Sequence, residues 1–485
     1  MELKVEQIDQ LVDCEAAFVA LYGESENAFW LDSSQVGERG RFSFMGDDGG
    51  PLGRTISHRV GDEESIFDRL AGELERLKPA FAPELPFEFQ CGFAGWLGYE
   101  LKAECGGDAV YESPLPDGAF VFADRMLVFD HVKGHTYLLC LAEPEAVLEA
   151  EEWLATAADT LATLPSRAPF LPIGVERRPE DRYAGFRLAR PRERYLEEIA
   201  ECKRLLNEGE TYEVCLTNKV VAGRPAGPGD DPLSLYRALR RVNPAPFSAF
   251  VRFGEAAVLS SSPERFLRVG RDRWVEARPI KGTSRRGETP AEDVRLAERL
   301  RRDEKNRAEN LMIADLLRND LGAVCEIGTV HVPELMRVES YETVHQLVTT
   351  VRGLLREELT AAECARSCFP PGSMTGAPKL RTMRILDQLE GEARGVYSGA
   401  IGWFGLGGGC DLSVAIRTIV LDGETATIGA GGAIVVQSDP ADEHEEMLLK
   451  ARAPLRAFAP DVDLAAALAA DTTTAGSGSL PRSPA

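Results

Sequence analysis

The sequence predicts a protein of mixed α/β (α+β) class, and three observations support that prediction. First, several segments are rich in aromatic and β-branched residues and are bounded by glycine or aspartate, which is typical of strands. Second, residues 143–164 combine strong helix formers with apolar residues at helical spacing. Third, the two patterns alternate along the chain. The strand-like segments of the N-terminal part are FWLDSS, GRFSFMG, FQCGFAGWLGYE and AFVFADRMLVFDHVKGHTYLLCL.

The pattern divides the chain into two regions and a tail. Residues 1–165 are expected to form one region of alternating strands and helices. Residues 166–190 contain several prolines and mixed charge, which predicts a linker or crossing segment. Residues 191–458 carry the more regular pattern and are expected to form the second region. Residues 461–485 are poor in apolar side chains and are predicted to be a disordered tail.

Composition excludes some classes of partner. The 485 residues include 55 basic and 78 acidic ones, which gives a net charge of −23. Such a surface repels phosphate backbones and anionic lipid, so neither nucleic acid nor a membrane is expected as a partner. Ten cysteines without a C-x-x-C pair, and an N-terminus without signal-peptide features, predict a cytoplasmic protein. An anionic substrate would need a few placed cations or a metal.

The second region opens with an amphipathic helix that is expected to end near Gly209. A strand follows in which residues 212–217 alternate in polarity, and FSAFVRF and AAVLSSSPERFLRV predict further strands. Toward the C-terminus, YSGAIGWFG, LSVAIRTIVL and ATIGAGGAIV are predicted strands. A last helix is expected to begin at about Pro440.

A long helical segment lies in the middle of this region. Thr289 followed by proline is a helix-start pattern, and the helix is expected to run to Gly322 with a break near Asp303. Within it, Glu309 shares a face with Ile313 and other apolar residues, so its carboxylate is expected to point toward the core.

Lys281 is the candidate nucleophile. It lies in the segment RPIKGTSRRG between a proline and a glycine, and Arg285 and Arg286 follow closely. An amine crowded by other cations loses its proton more easily, and only the neutral form can attack carbon. A solvated lysine in a surface turn is the alternative for this motif taken alone.

A second set of charges predicts a magnesium site. Glu443, Glu446 and Lys450 stand at positions i, i+3 and i+7 of the last helix and therefore share one face, next to apolar Met447. Buried carboxylates need neutralisation, and Mg²⁺ bound by one or two carboxylates plus waters would provide it together with Glu309. Exposed Glu/Lys pairing is the alternative for this helix.

Three further features suit an anionic substrate. Arg417 interrupts the predicted strand LSVAIRTIVL, and its guanidinium matches the geometry of a carboxylate. The glycine run at 429–436 offers backbone N–H groups to an anion, although such a run taken alone more often marks a close strand crossing. Glu264, 17 residues before Lys281, is a candidate proton donor if its pKa is raised, and an exposed turn residue otherwise.

These motifs together resemble those of the chorismate-utilising enzymes. The resemblance covers residues from about 190 to 458, and residues 1–165 resemble the N-terminal region of anthranilate synthase component I more loosely. It implies a chorismate-binding enzyme fold of two packed antiparallel sheets with helices outside. The motifs that carry it, in chain order, are SSSPERF, PIKGT, NRAEN, DLLRNDLG, PGSMTGAPK, YSGAIGW, AIRT, GAGGAIV and EHEEMLLKAR.

The resemblance also implies roles for individual residues. Lys281 would add to the chorismate ring while Glu264 protonates the leaving 4-hydroxyl group. Mg²⁺ would bind the ring carboxylate. Glu309 and Glu446 would bind the metal with Glu443 assisting, and Lys450 would lie near it. The enolpyruvyl carboxylate would be bound by Arg417, Tyr397, Gly431 and Gly432. His345 and Thr283 would orient the ring, and Ser373 and Thr375 would line the pocket.

The branch of the family depends on position 281. PIKGT resembles the aminodeoxychorismate synthase branch, whereas PIAGT is typical of anthranilate synthases, which are the alternative. The isochorismate and salicylate branches use a lysine at the position of Glu213, so those activities are disfavoured. A catalytically silent scaffold subunit is an alternative of another class.

The chain departs from the family pattern at two places and lacks one motif. Asn306 stands where the family often has an acid, and Leu31, Asp32 and Ser33 stand where related enzymes carry an L-E-S signature in a tryptophan pocket. The chain has no G-x-C-x-G nucleophile turn, so we expect a separate glutamine amidotransferase subunit to supply ammonia, with free ammonia as the fallback.

Overall fold

The computed structural model describes residues 1–35, 37, 40–77, 84–166, 185–224, 231–341, 344–423 and 425–458. Most of the predicted linker and the whole predicted tail lie outside the described residues. The described part contains ten α-helices and 22 strands. No helix in it is both long and apolar enough to cross a membrane.

The strands are numbered in chain order. They are β1 (Glu2–Ile8), β2 (Asn27–Asp32), β3 (Phe42–Asp47), β4 (Arg54–His58), β5 (Gly92–Leu97), β6 (Gly118–Ala123), β7 (Arg125–Asp130), β8 (His135–Ala142), β9 (Arg187–Leu188), β10 (Glu213–Gly223), β11 (Phe247–Phe253), β12 (Ala256–Ser262), β13 (Arg265–Val269), β14 (Trp274–Ala277), β15 (Ile280–Arg285), β16 (His331–Ser340), β17 (Val344–Leu354), β18 (Gly376–Ala377), β19 (Ala400–Gly405), β20 (Cys410–Val414), β21 (Thr418–Asp422) and β22 (Thr425–Ile434).

The helices surround these strands. They are α1 (Cys14–Tyr22), α2 (Ile66–Arg76), α3 (Val147–Ala162), α4 (Arg192–Asn207), α5 (Pro232–Val242), α6 (Pro290–Arg302), α7 (Glu304–Gly322), α8 (Ala361–Cys368), α9 (Lys379–Glu390) and α10 (Pro440–Phe458). The break between α6 and α7 falls at Asp303, as expected, because this residue ends one helix and its side chain caps the next.

Two antiparallel sheets form the body of the protein, which confirms the expected architecture. The first has the order β1-β8-β7-β3-β2-β11-β12-β21-β22-β10-β18, with β9 also pairing with β10. The second has the order β15-β17-β14-β13-β20-β19-β5-β6-β4, with β16 also pairing with β17. Strands from residues 1–165 and from residues 191–458 pair within both sheets, for example β2 with β11 and β5 with β19.

Apolar packing explains this layering. One core lies between the sheets, where Phe29 of the first sheet and Phe120 of the second belong to the same buried cluster. A second core lies between the first sheet and helices α1, α3, α4, α5 and α10, and contains Trp30, Tyr195 and Met447. Both faces of the first sheet are therefore covered, which explains why strand β10 is buried on both faces over 213–218 and not alternately exposed.

The segment LSVAIRTIVL corrects one prediction. It is not one strand: β20 ends at Val414 in the second sheet, and β21 begins at Thr418 in the first. Arg417 lies in the crossing between the two sheets, with a positive φ of 53° that is strained for a residue with a side chain. The charge that interrupts the apolar pattern therefore marks the point where the chain changes sheets.

Candidate active site

Most of the predicted site residues lie around the paired strands β10 and β22. These strands are in antiparallel register over Val214–Gly223 and Thr425–Ile434. Strand β22 pairs with β21 only over Thr425–Ile428, so its glycine-rich half has one edge outside that ladder. Helices α7 and α10 and strand β15 bring their charged side chains to this part of the first sheet.

Lys281 is buried and paired with a carboxylate that the sequence analysis had not placed in the site. Its Nζ lies 2.5 Å from Oε1 of Glu213, and the two side chains are 9% and 1% exposed. The register of β15 against β17 shifts between Ile280 and Thr283, and Gly282 has a φ of 93° there. This irregularity lets Lys281 leave the regular ladder and point to β10.

The protonation expected for Lys281 is wrong. Burial acts to lower the pKa of its ammonium group, but the charges of Glu213 and Glu309 outweigh burial and raise the pKa above its ordinary value of 10.5. The two arginines do not crowd it. Arg285 pairs with Glu292 at 2.5 Å and Arg286 pairs with Asp293 at 2.8 Å.

Glu309 lies on α7 and is buried, as its helical face predicted. Its Oε1 has no hydrogen-bond partner. Burial raises the pKa of Glu309 to about 7, although the charge of Lys281 acts in the opposite direction. A buried carboxylate oxygen without a donor is costly, which indicates that a ligand or cation completes it.

The charged face of α10 meets β22 at Gly432. A Cβ added to Gly432 would lie 3.3 Å from Oε2 of Glu443, 3.6 Å from Nζ of Lys450 and 3.9 Å from Oε1 of Glu446. Lys450 pairs with Glu446 at 2.7 Å and donates to the carbonyl of Gly431 at 2.9 Å. The glycine therefore leaves open the space onto which these three side chains converge.

The three glutamates do not form a ready metal cluster. Among the described residues, no three His, Cys, Asp or Glu side chains are arranged to hold a metal ion. Glu443 accepts from Lys305 Nζ at 2.8 Å and from Ser438 at 2.6 Å, and Glu446 is neutralised by Lys450. The charge of Lys450 lowers the pKa of Glu446. Glu309 is the member of the set with a buried oxygen that has no hydrogen bond, and its nearest cation, Lys305, is 3.9 Å away. The residues therefore fit a hard cation that takes one or two carboxylates and otherwise water.

Glu264 lies in the turn between β12 and β13 and is buried. Burial raises its pKa to about 7, against the opposing effects of a hydrogen bond with Ser373 and the charge of Lys281. A cavity of about 10 Å³ touches both Glu264 and Ser373. A carboxyl group that stays protonated near neutral pH can act as a proton donor.

Arg417 and Tyr397 lie at the point where the sheets separate. Burial lowers the pKa of Arg417, and the charges of Tyr397 and Glu446 only partly oppose it, so this cation lacks a full counter-charge. The ring of Tyr397 packs on Gly429, where an added Cβ would lie 2.1 Å from the ring. An anion beside Arg417 would supply the missing charge.

The other predicted residues differ in their relation to this cluster. Thr375 is buried, and its backbone carbonyl accepts from the N–H of Cys215 on β10 at 2.9 Å. A Cβ added to Gly431 would lie 2.3 Å from the carbonyl of Leu216, so Gly431 serves the close contact between strands. His345 hydrogen-bonds to Asp293 at 2.9 Å and Ser340 at 2.7 Å.

Thr283 is exposed, two residues beyond Lys281 on β15. The hydrogen bonds of His345 to Asp293 and Ser340 do not connect it to the cluster around Lys281. The structure therefore brings together Lys281, Glu264, Glu309 and the face of α10, whereas His345 contacts Asp293 of α6 and Thr283 is exposed.

Sequence reasoning missed Glu213 and Lys305. Glu213 had been treated as the polar member of an alternating strand, yet it is fully buried and its Oε2 has no hydrogen-bond partner. The signal that could have found it is the one used for Arg417, a charge within an otherwise apolar strand. Asn306, the departure noted above, packs over Gly282, where an added Cβ would lie 2.8 Å from its Cγ.

A larger cavity, of about 420 Å³, lies elsewhere between the two sheets. Its lining includes Leu31, Asp32, Ser33 and Trp403. The carboxylate of Asp32 is already paired with Arg240, whose Nε lies 2.8 Å away. The chemistry of Lys281, Glu264 and Glu309 and not cavity size therefore identifies the candidate active site.

Known proteins with similar sequences include chorismate-binding enzymes. Residues 27–456 match the family model described as chorismate binding enzyme. An aminodeoxychorismate synthase from Streptomyces pristinaespiralis is 51% identical, with 94% of this chain and 65% of the relative covered. Anthranilate synthase component 1 from Streptomyces coelicolor is 37% identical, with 94% and 88% covered.

A solved structure agrees with these sequence matches. The crystal structure of anthranilate synthase component I from Streptococcus pneumoniae has a TM-score of 0.73 and 30% identity to this chain, covering 86% of this chain and 92% of that one. The chain spans 65% and 62% of the length of two aminodeoxychorismate synthases that it matches. The family match covers every strand of the two sheets except β1 and all of the candidate active site, and the chain belongs to the chorismate binding enzyme family.

Proposed function

We propose that the chain is component I of an aminodeoxychorismate synthase, which converts chorismate and ammonia to 4-amino-4-deoxychorismate through a covalent lysine adduct. The observation that carries the proposal is a buried lysine, Lys281, in one cluster with the carboxyl groups of Glu264 and Glu309. Relatives with this name are 51% and 50% identical. The product would serve 4-aminobenzoate and folate synthesis or a specialised pathway.

The reaction would proceed by two displacements. The Lys281 amine, once neutral, forms a bond to a ring carbon, the ring π electrons shift, and the C4–O bond breaks. Glu264 gives its proton to the departing oxygen, which leaves as water. Ammonia then attacks C4, the π electrons shift back and the lysine leaves. The raised pKa of Glu264, about 7, suits this donor role.

The carboxylates of the substrate would meet the cations of the site. Arg417, which lacks a full counter-charge, would pair with the enolpyruvyl carboxylate beside Tyr397 and the glycine edge of β22. Ser373 and Thr375 would line the pocket beside Glu264. His345 and Thr283 would orient the ring from the side of β15.

Magnesium is part of the proposal. Glu309 and Glu446 would hold Mg²⁺, with Glu443 assisting, since Glu309 has an unpartnered buried oxygen and hard cations prefer oxygen ligands. Bound Mg²⁺ would supply positive charge for the ring carboxylate of chorismate. Lys450, which pairs with Glu446 at 2.7 Å, would stand at the same end of the substrate.

We further infer that a glutamine amidotransferase subunit supplies the ammonia and that the protein works in the cytoplasm. The absence of a G-x-C-x-G turn from the sequence supports a separate source of ammonia. All ten cysteines are free thiols, which fits a reducing compartment.

The purified chain with chorismate, Mg²⁺ and ammonium tests this proposal. We expect a product with the mass and retention time of aminodeoxychorismate. Anthranilate with released pyruvate would instead assign the chain to the alternative branch, which the anthranilate synthase relatives represent. A lack of turnover in ammonium, combined with binding of an amidotransferase, would favour a silent scaffold subunit.

A further inference from the structure

Glu213 is a buried charge that the proposed chemistry leaves unexplained. It stands at the start of β10 and is 0% exposed. One of its oxygens holds the Lys281 amine at 2.5 Å, and the other has no hydrogen-bond partner. In a structural ion pair both carboxylate oxygens normally have hydrogen-bond partners, so stabilising the fold does not fully explain the Lys281–Glu213 pair.

The same contact opposes nucleophilic attack by Lys281. An ammonium ion has no lone pair, and Glu213 holds the amine in that form. For the amine to react, one N–H bond must break and its proton must pass to a base within hydrogen-bond reach. Among the described side chains, Glu213 is the carboxylate that the Lys281 ammonium contacts, and its Oε1 lies 2.5 Å from Nζ, within reach for the transfer.

We propose that Glu213 is a positioning residue that keeps Lys281 protonated and oriented in the resting protein and accepts its proton when the amine attacks. This inference deepens the proposed function and rests on it for its catalytic part. The Lys281 N–H bond breaks, an O–H bond forms on Glu213, and the freed electron pair makes the bond to the ring. When the lysine later leaves as a neutral amine, Glu213 returns the proton, and nothing is oxidised or reduced.

Other charges also face the Lys281 amine and remain in place when Glu213 is changed. Glu309 on α7 acts in the same direction as Glu213, and the pKa values of Glu264, Glu446 and Cys215 each respond to Lys281. These groups act on the amine through electrostatics alone, since none of them has a described hydrogen bond to it. The substitution of Glu213 therefore isolates the contact at 2.5 Å.

Acetylation of the lysines in the whole chain tests the resting-state part without any substrate. Acetic anhydride reacts only with neutral amines, and peptide mass spectrometry reports each lysine separately. In Glu213→Gln, which keeps the shape but removes the charge, we expect Lys281 to be acetylated about tenfold faster near pH 8, with its profile shifted to lower pH. Glu213→Asp, which keeps the charge on a shorter arm, should lie between the two.

A matched pair provides the control. Lys102 is also buried and pairs with Asp387 at 2.7 Å. Asp387→Asn should leave the acetylation of Lys281 unchanged, and Glu213→Gln should leave that of Lys102 unchanged. Identical profiles of Lys281 in the wild-type, Gln and Asp proteins would overturn the inference.

Steady-state amination of chorismate with ammonium tests the catalytic part. We expect Glu213→Gln to lower kcat about tenfold or more with KM for chorismate nearly unchanged, and Glu213→Asp to recover part of kcat. A wild-type kcat in Glu213→Gln would overturn the inference. If the wild-type protein makes no aminodeoxychorismate while the acetylation profiles shift as expected, the proposed function fails and the resting role of Glu213 stands.

Discussion

Two buried ionic clusters share strand β10, and they differ in how completely their charges are satisfied. The first, the site cluster, contains Lys281, Glu213, Glu309 and Glu264. The second, the anchor cluster, contains Arg394, Glu390, Arg190 and Glu198. The site cluster has buried oxygens without a hydrogen bond on Glu213 and Glu309, whereas among the described residues no buried side-chain atom of the anchor cluster lacks one.

The anchor cluster has geometry typical of a structural ion pair. Arg394 contacts both oxygens of Glu390 at 2.7 Å and donates to the carbonyls of Met374 and Cys215. Glu390 also accepts from the N–H and hydroxyl of Thr217 at 2.9 Å. Burial acts to raise the pKa of Glu390, but Arg394 outweighs it and the pKa is lowered.

The difference separates stability from function. Where every donor and acceptor is used, as around Arg394, the charges tie β10 to the loop before α9. Where a buried oxygen has no hydrogen bond, as on Glu309, burial raises the pKa of the carboxyl group to about 7 and its charge is costly to the folded protein. Mutations in the two clusters should therefore have opposite consequences for stability and activity.

The largest effect is expected in the anchor cluster. Arg394→Met should lower the free energy of unfolding by about 3–5 kcal/mol, because it leaves the buried carboxylate of Glu390 without its main counter-charge. Urea unfolding followed by circular dichroism measures the loss. The exposed pair Arg204–Glu201 is the control, and Arg204→Met should change stability far less, since solvent screens an exposed ion pair. An equal effect of the two substitutions would contradict the distinction between the clusters.

The second largest effect is expected at Lys281, the proposed nucleophile. Lys281→Ala should reduce the formation of aminodeoxychorismate about a hundredfold or more, or divert amination to the neighbouring ring carbon, because the covalent route is lost. Product mass spectrometry with ammonium as the nitrogen source measures both outcomes. Lys219→Ala is the control on the same molecule, since Lys219 pairs with Glu392 at 3.1 Å away from the site cluster. An unchanged product and rate would remove Lys281 from the mechanism.

The local sequence pattern predicted several positions in the site cluster but not the electrostatic interactions between them. The break at Asp303 and the buried face of Glu309 follow from spacing along one helix, and the structure has both. The pKa of Lys281 was predicted in the wrong direction because its decisive partner, Glu213, is 68 residues away in the chain. Only the pairing of sheets and the irregular register of β15 bring the two side chains together.

The same limit explains two other outcomes. Arg417 marks the point where the chain changes sheets, but the local sequence does not distinguish such a crossing from a charged position within one strand. The resemblance to a known family supplied His345 and Thr283, yet the geometry alone does not connect them to Lys281, so their roles stay predictions. The two-sheet architecture came from the resemblance, since alternation of strands and helices does not fix how many sheets form.

The pH dependence of amination should show the titration of Glu264. Only the protonated carboxyl can donate, and its pKa is raised to about 7, so activity should fall as pH rises above 7. At saturating Mg²⁺ and ammonia, the fall should approach about tenfold per pH unit. Glu264→Gln should remove this limb and lower the maximal rate, whereas Glu298→Gln, on the exposed face of α6, should leave both unchanged. A rate that keeps rising through pH 9 would exclude Glu264 as the donor.

The smallest expected effect is a change in stability caused by a substitution at Glu309 in the site cluster. Glu309→Gln should stabilise the protein in the absence of metal by about 1–2 kcal/mol near pH 8, because it removes a buried charge without a hydrogen-bond partner on Oε1. The folded pKa of about 7 exceeds the ordinary 4.5, so the penalty is absent below about pH 4.5 and grows as pH rises to 7. The gain from the substitution should therefore nearly vanish at about pH 4.5.

Urea unfolding at the two pH values measures this gain, and added Mg²⁺ should stabilise the wild-type protein more than the variant. Glu446→Gln is the matched control, because that side chain is 48% exposed and already paired with Lys450. It should give no pH-dependent gain, since the pKa of Glu446 is lowered and its charge is favourable in the folded protein. A loss of stability in Glu309→Gln at both pH values would mean that Glu309, like the anchor cluster, supports the fold.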